Sequence, residues 1–493
     1  MPRTKPLSDL IQRVDGATPI AGGGGVAVSG ITADSRRAGP GMLFVAVRGT
    51  QTDGHRFIAD AVARGAAAVV FEQLPFGVSA PVMVQCPDTK LALGRMADAL
   101  YEDPSRRLTL VGVTGTNGKT TTVHLIRSIV CAGGQPCGMA GTVCYDDCSG
   151  ASAEAVTTTP DAVTLRELMA GAADAGARTF AMEASSHALD QGRTDLLDFD
   201  AAVFTNLSGD HLDYHGNIDA YAAAKSRLFE SLKPEATAIV NGDDRYAQRM
   251  VRDCPAPVVR FGFEASNGLV AENLDLTIDG SAFDAVSAEG RLRVSLETIG
   301  RHNVSNALAA VGACRAIGID DATIVRGLAG AEGVPGRLQR VNPQDDFAVF
   351  VDYAHTDKGL ESVLEALRPF TAGRLICVFG CGGDRDRTKR PRMGDVVSRL
   401  ADIAVVTNDN PRSEDPSSIA RQVTGGMVGP AERCVVLDRA KAIDLAIGRA
   451  EPDDVVLIAG KGHETYQIFK DGRRHFDDVE SAREALSRRR TTA

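Results

Sequence analysis

Residues Leu108–Thr122 read LTLVGVTGTNGKTTT. An apolar run ends at Gly115, and after it come Thr116, Asn117, Gly118 and a Lys119-Thr120 pair. Beyond Lys119, residues Val123, Ile126 and Val130 recur at helical spacing. The pattern is a strand, a glycine-rich turn and a helix start. Backbone N–H groups in such a turn can face one anion, and the helix N-terminus adds its dipole. Lys119 can neutralise β- and γ-phosphates, and Thr120 can ligate Mg²⁺. The general phosphate-loop pattern puts a further glycine where Val113 stands here, so the match fails by one residue.

Working outward, short apolar runs alternate with helical segments. Downstream come TFAME (179–183), AAVFT (201–205) and ATAIV (236–240). A later region repeats the theme with FAVFVDYAH, RLICVFGCGGD, DIAVVTNDNPR and DVVLIAGKGHE. Upstream, GMLFVAV, AAAVVF and APVMVQ precede the polar stretch Glu102–Arg107, where Pro104 disfavours helix through Asp103. This alternation predicts α/β architecture with parallel sheets. Three regions separate, 1–106, 107–336 and 337–493, with a boundary in the stretch Gly333–Pro343. The apolar runs end in Gly, polar or charged clusters, and ligands of open α/β sheets bind at carboxyl strand ends.

Composition narrows the classes. The 493 residues suffice for several cores. Lys and Arg number 54 against 64 Asp and Glu, a net charge of −10, which argues against non-specific nucleic-acid binding. No apolar run approaches the length of a membrane span, and the N-terminal MPRTKPLSDLIQRV lacks an apolar signal core, so a cytoplasmic protein is expected. The pairs Cys144/Cys148 and Cys377/Cys381 lack companions that would complete a zinc pattern. Most of the ten cysteines are expected in the core.

Several segments carry chemistry or a plainer alternative. Glu183 follows a strand and suits a metal ligand or a solvated loop. His211, in TNLSGDHLDYHG, suits a metal ligand or a structural loop histidine. Lys225, in DAYAAAKSRLFESL, reads on its residues as a solvated helix face. Asn303 and Asn306 share one face of a helix start, to reach a base edge or to cap. Arg385, Arg387, Lys389, Arg390 and Arg392 form a basic cluster suited to a carboxylate or phosphate. Asp409, Asn410 and Arg412 offer what a zwitterionic amino acid needs, or form a surface turn around Pro411.

Taken in order, TGTNGKTTT, MEASSH, TNLSGDHLDYHG, RHNVSNALAA, DYAHT, GCGGDRD, DNPR and GKGHE resemble the Mur ligase family over essentially the whole chain. ADSRRAGPGMLFVAVRGTQTDGHRFI resembles its nucleotide-sugar domain. The resemblance implies three domains: a UDP-sugar-binding domain (1–106), a central P-loop-type parallel-sheet ATPase domain (107–336) and a Rossmann-like amino-acid-binding domain (337–493). It implies an ATP-dependent amide ligase of peptidoglycan precursor synthesis that works through an acyl phosphate. By the same resemblance ATP meets Gly115, Thr116, Asn117, Gly118, Lys119, Thr120, Thr121, Asn303, Arg337 and Asp352. Thr120 and Glu183 would hold one Mg²⁺, and His211 with a carbamylated Lys225 (N6-carboxylysine) a second metal site. Lys119, Glu183, His211 and Lys225 would be the catalytic set.

UDP-N-acetylmuramoyl-L-alanyl-D-glutamate would meet Ser35, Arg36, Thr158, Thr159, Ser185, Gln191 and Arg193. The amino acid would meet Arg385, Asp409, Asn410, Arg412, Gly460 and Glu464. Within the family the DNPR segment goes with meso-diaminopimelate, whose second carboxylate an arginine can pair. The competing expectations are a lysine-adding relative, a folylpolyglutamate synthetase-like ligase, or an ATP-binding switch that ligates nothing.

Overall fold

The computed structural model describes residues 3–492 apart from 24, 50–51, 75–76, 78, 81, 151 and 343–344. Gly24 of the glycine run 22–25, Thr50 and Gln51 of the ADSRR segment, Pro81 of APVMVQ and Pro343 of the proposed boundary lie outside the described residues. The chain divides into two compact units. One comprises 1–271, 285–292 and 305–328; the other comprises 272–284, 293–304 and 329–493.

Two larger sheets lie in the first unit, beside a two-stranded one formed by Lys5–Pro6 and Ala27–Val28. Near the N-terminus the strand order is Thr18–Ala21, Met83–Gln85, Ala68–Phe71, Met42–Val45 and Gly30–Thr32. All neighbours are parallel except the first pair. Helix Thr89–Tyr101 covers this sheet, and Leu93, Met96 and Leu100 join a core with Leu43, Val45 and Val70. Asp88 starts that helix by accepting from Leu91 N–H.

The second sheet is built around Thr109–Thr114. Thr179–Glu183 lies on one side of it and Ala201–Phe204 on the other, all parallel. Cys137–Ala140 continues beyond the first neighbour; Thr237–Asn241 and Val258–Gly262 continue beyond the second. The inner strands are buried on both faces, which is why they read as unbroken apolar runs. In helix Lys119–Ala132, Val123, Ile126 and Val130 are buried, as their spacing predicts.

The second unit has a sheet ordered Gln339–Arg340, Ala348–Asp352, Val455–Ala459, Leu375–Phe379, Ile403–Val406 and Glu432–Val435. Every pair after the antiparallel first one is parallel. One core, with Leu364, Phe379 and Met393, covers one face; a second, with Ile443, Ile447 and Ile458, covers the other. All ten cysteines are free thiols, and only five are buried: Cys86, Cys137, Cys314, Cys377 and Cys381. No helix among the described residues is long and apolar enough to cross a membrane.

Candidate active site

Three adjacent strands of the first unit end side by side, and each delivers reactive groups. The central strand ends in the turn Gly115–Gly118. Gly118 has φ +86 and caps helix Lys119–Ala132; a Cβ there would lie 2.3 Å from Asn306 Oδ1. Gly115 has φ +151, and a Cβ would fall 1.9 Å from Thr205 Oγ1. Both positions require glycine. The next strand exit splints the loop. Thr116 N–H donates to Asn206 O at 2.8 Å, Asn117 N–H to Asn206 Oδ1 at 3.0 Å, and Thr205 Oγ1–H to Asn117 O at 2.6 Å. Thr120 and Thr121 are buried at the helix start.

Two lysines converge on this turn. Lys119 Nζ donates to the carbonyls of Gly115 and Thr116, each at 2.9 Å. Lys225 Nζ donates to the Gly115 carbonyl at 2.8 Å. The residue pattern predicted a solvated Lys225, yet it is only 1% exposed. Its ammonium sits 4.5 Å from the centroid of Tyr221, whose hydroxyl is 3.2 Å from Thr116 Oγ1. Burial, and then the neighbouring Lys119, push the Lys225 amine well below its ordinary value; Asp210 opposes them.

Glu183 ends the strand on the other side and is also buried. Its Oε1 accepts from Thr142 N–H at 2.7 Å and its Oε2 from Thr142 Oγ1–H at 3.1 Å. The Thr158 hydroxyl lies 3.2 Å from the same Thr142 Oγ1, which can accept from it. Thr159 Oγ1–H donates to the Glu183 carbonyl at 2.8 Å and accepts from Ser185 N–H at 3.0 Å. Arg193 donates to Thr159 O at 2.8 Å and to Gln191 Oε1 at 2.7 Å. Thr158, Thr159, Ser185, Gln191 and Arg193 thus form one connected group. Ser35 and Arg36 are not hydrogen-bonded to it among the described residues; Arg36 is exposed and pairs with Asp34 at 2.7 Å.

His211 has φ +53 at the start of a short helix and is half exposed. It belongs to an aromatic group with His187 (4.9 Å, edge-on) and Tyr221 (6.2 Å). His187 and His215 are held below the ordinary histidine value, in each case chiefly by burial. Among the described residues no three His, Cys, Asp or Glu side chains cluster as a self-sufficient metal site. Glu183 and Thr120 are hard oxygen donors. They fit Mg²⁺, which retains water and phosphate oxygens as its other ligands.

The second unit gathers its own cluster at strand exits. Asn410 Nδ2 donates to Glu464 Oε2 at 2.9 Å, and Lys461 Nζ donates to the same oxygen at 2.9 Å and to Asn410 Oδ1 at 3.2 Å. Burial raises the carboxyl of Asp409, but Lys461, Arg439 and His355 outweigh it and keep it below its ordinary value. A Cβ on Gly460 would lie 2.7 Å from Asp409 Oδ2. Arg412, at φ +54, donates from Nη1 to Gly383 O at 2.8 Å. Asp352 accepts from Leu338 N–H at 2.7 Å and Ala354 N–H at 2.8 Å; burial raises its carboxyl against the pull of Arg337. The Arg337 guanidinium lies 4.9 Å from the Tyr353 ring centroid. Asn303 is buried and donates to Ile299 O at 2.9 Å, within its own helix start.

The basic cluster is largely committed internally. Arg390 is fully buried and forks onto Glu414. Arg387 also meets Glu414, Arg392 meets Asp357, and Lys389 donates to His355 O. Arg385 is exposed, with no ion-pair partner among the described residues.

The Mur ligase family, catalytic domain matches residues 27–102, the Mur ligase middle domain 113–314, and the Mur ligase, glutamate ligase domain 336–462. UDP-N-acetylmuramoyl-L-alanyl-D-glutamate--2,6-diaminopimelate ligase of Gloeobacter violaceus is 46% identical over 94% of this chain and 95% of its own. The chain belongs to the Mur ligase family. The enzyme of the same description from Geobacillus thermodenitrificans is 43% identical over 98% of this chain and 100% of its own. A solved structure of a UDP-N-acetylmuramoyl-L-alanyl-D-glutamate--2,6-diaminopimelate ligase aligns with TM-score 0.68 and 35% identity, covering 94% of this chain and 95% of that one. As a Mur ligase the protein is an ATP-dependent enzyme that forms amide bonds.

Residue reasoning missed several members of these clusters. Thr142, Asn206, Tyr221 and Lys461 touch the expected residues directly. Each sits close to a strand exit or one helical turn from an expected lysine, the only signal that could have singled them out.

Proposed function

We propose that this Mur ligase joins an amino group of meso-2,6-diaminopimelate to a carboxylate of UDP-N-acetylmuramoyl-L-alanyl-D-glutamate, in the cytoplasm. The observation that carries this reading is end-to-end similarity, 46% over 94% of the chain, to an enzyme named for these substrates. The carboxylate attacks the γ-phosphorus of ATP, ADP leaves, and an acyl phosphate forms. The amino group attacks the acyl carbon, phosphate leaves, and the lost proton passes to solvent or a nearby base.

The turn Gly115–Gly118, held by Asn206 through the N–H groups of Thr116 and Asn117, leads into the helix start at Lys119, whose N-terminus faces the phosphates. Thr121 stands beside it at the helix start, and Lys119 leaves its two carbonyls to meet developing charge. Asn303, Arg337 and Asp352 are the adenosine contacts. Thr120 and Glu183 would hold a Mg²⁺; in this structure both Glu183 carboxylate oxygens accept from Thr142. Mg²⁺ neutralises phosphate charge when bound.

Burial and the neighbouring Lys119 push Lys225 toward the neutral amine, the form that adds CO₂ and loses a proton to give N6-carboxylysine. That carboxylate and His211 are the second set of donors. Ser35, Arg36, Thr158, Thr159, Ser185, Gln191 and Arg193 receive the UDP-dipeptide. Asp409, Asn410, Gly460 and Glu464 receive the ammonium and carboxylate of the incoming amino acid. Arg385 and Arg412 pair its carboxylates.

The test is phosphate release with ATP, Mg²⁺ and UDP-N-acetylmuramoyl-Ala-Glu, with meso-diaminopimelate, with lysine, or with neither. Release with diaminopimelate alone is expected. Equal release with lysine would remove the substrate assignment, and release with neither would remove the ligase reading.

A further inference from the structure

The proposed UDP-dipeptide contacts sit on three separate segments, and one buried side chain is tied to the frame of all three. Arg166, in helix Ala162–Asp174, is 0% exposed. Its Nε and Nη2 donate to Asp98 Oδ1 and Oδ2 at 2.6 and 3.1 Å. Nη2 donates also to the Asp195 carbonyl at 2.9 Å, two residues past Arg193. Nη1 donates to the Ala162 carbonyl at 3.1 Å, three residues past Thr159. Asp98 lies on helix Thr89–Tyr101, which packs on strand Gly30–Thr32, and that strand leads into Ser35 and Arg36.

Stability alone does not account for such a pair. Two charges removed from water lose hydration that their attraction only partly restores, and apolar side chains of similar size often serve as well or better. What apolar side chains cannot supply is direction. A guanidinium fork against a carboxylate fixes the relative orientation of its two carriers, and its remaining N–H groups fix one loop carbonyl, that of Asp195, and one carbonyl in the first turn of its own helix, that of Ala162.

We infer that Asp98 and Arg166 are a positioning pair for the UDP-dipeptide: they hold the Ser35–Arg36 segment in register with the Thr158–Thr159 and Gln191–Arg193 segments. Neither touches the substrate. This inference rests on the substrate reading above.

The experiment compares the wild type with Arg166→Lys and with the apolar double variant Asp98→Leu/Arg166→Met. Melting temperature reports folding, and equilibrium dialysis measures UDP-N-acetylmuramoyl-Ala-Glu and ATP separately. The expected result is a folded double variant whose Kd for the UDP-dipeptide rises at least about tenfold, with ATP binding unchanged and Arg166→Lys intermediate. A folded double variant with wild-type affinity would overturn the inference, as would equal weakening of both ligands. If the double variant does not fold, Arg166→Lys decides: selective loss of the UDP-dipeptide supports the pair. Unchanged binding, unselective loss or a second failure to fold goes against it. A wild type that binds no UDP-dipeptide would remove the substrate reading instead.

Discussion

The amine of Lys225 donates to the carbonyl oxygen of Gly115 at 2.8 Å, across 110 residues of chain. That contact puts a buried lysine on the turn proposed to receive phosphate. An ammonium cannot ligate a metal, so the proposed metal-holding role requires conversion to a carboxylate-bearing form. Lys225→Ala is expected to lose activity by about a hundredfold or more. Formate or acetate should restore part of it, by standing in for the missing carboxylate, and bicarbonate should not. Phosphate release with each additive measures this. Full activity in the unsupplemented variant would remove the role.

Gly118 and Asn306 give a second test. An alanine at Gly118 meets Asn306 Oδ1 at 2.3 Å and must adopt φ +86. Gly134 has φ +76 and nothing within 4 Å of its built Cβ. Each substitution carries a left-handed backbone cost of about 1–2 kcal/mol. Gly118→Ala alone should also raise the KM for ATP, by about tenfold. Equal ATP constants in the two variants would mean that the turn does not crowd the nucleotide.

The strands were legible because parallel strands buried on both faces must be apolar throughout, as Thr109–Thr114 and Val455–Ala459 are. The phosphate turn was legible because few residue types satisfy its backbone. Lys225 was not: AAAK on a helix carries no sign that Gly115, far upstream, will cover it. The cluster 385–392 misled for the same reason, since Glu414 captures Arg390 from 24 residues away. Buried Arg166 and Arg439 were equally invisible, because their partners Asp98 and Asp478 lie 68 and 39 residues distant. Local pattern reports propensity, and these groups answer to long-range partners.

Asp454 yields a pH dependence. It is 2% exposed and accepts from Arg374 Nε at 3.0 Å, Arg374 Nη2 at 2.7 Å and Glu451 N–H at 2.8 Å. Burial raises its carboxyl, but the hydrogen bonds from Arg374 and Glu451 outweigh that and leave it below the ordinary 3.8. A depressed carboxyl stabilises the fold above the unfolded value, and the effect is lost as pH falls through the folded one. Asp454→Asn should therefore cost about 2 kcal/mol at neutral pH. The gap from the wild type should hold from pH 8 to about 5 and close in more acidic buffer. Urea titrations across that range measure it, and a gap that widens in acid would refute the assignment.

Lys461 gives a test of the amino-acid cluster. It is fully buried and holds Glu464 and Asn410 together through Nζ. Lys461→Met keeps the length and removes both contacts. The KM for diaminopimelate should rise by about tenfold or more, because Glu464 and Asn410 lose their fixed orientation. The KM for ATP should not change. An equal rise in both constants would indicate general loosening of the unit.

Arg412 gives a test of the proposed choice between amino acids. Its backbone N–H donates to Ile468 O at 3.0 Å and its Nη1 to Gly383 O at 2.8 Å, so the guanidinium is fixed at both ends of the residue. Diaminopimelate carries a second carboxylate that lysine lacks, and a fixed guanidinium can pair it through two N–H groups. Arg412→Lys retains the charge but loses the fork, with no change in backbone cost between two branched-free side chains. The KM for meso-diaminopimelate should rise about thirtyfold, the equivalent of ~2 kcal/mol, with ATP and the UDP-dipeptide unaffected. Lysine should remain without phosphate release, since removing the fork supplies it no new contact. If instead the diaminopimelate constant is unchanged, the second carboxylate is read elsewhere. Arg385→Lys then becomes the variant in which the diaminopimelate constant must move, because Arg385 is the exposed arginine of that segment with no ion-pair partner among the described residues.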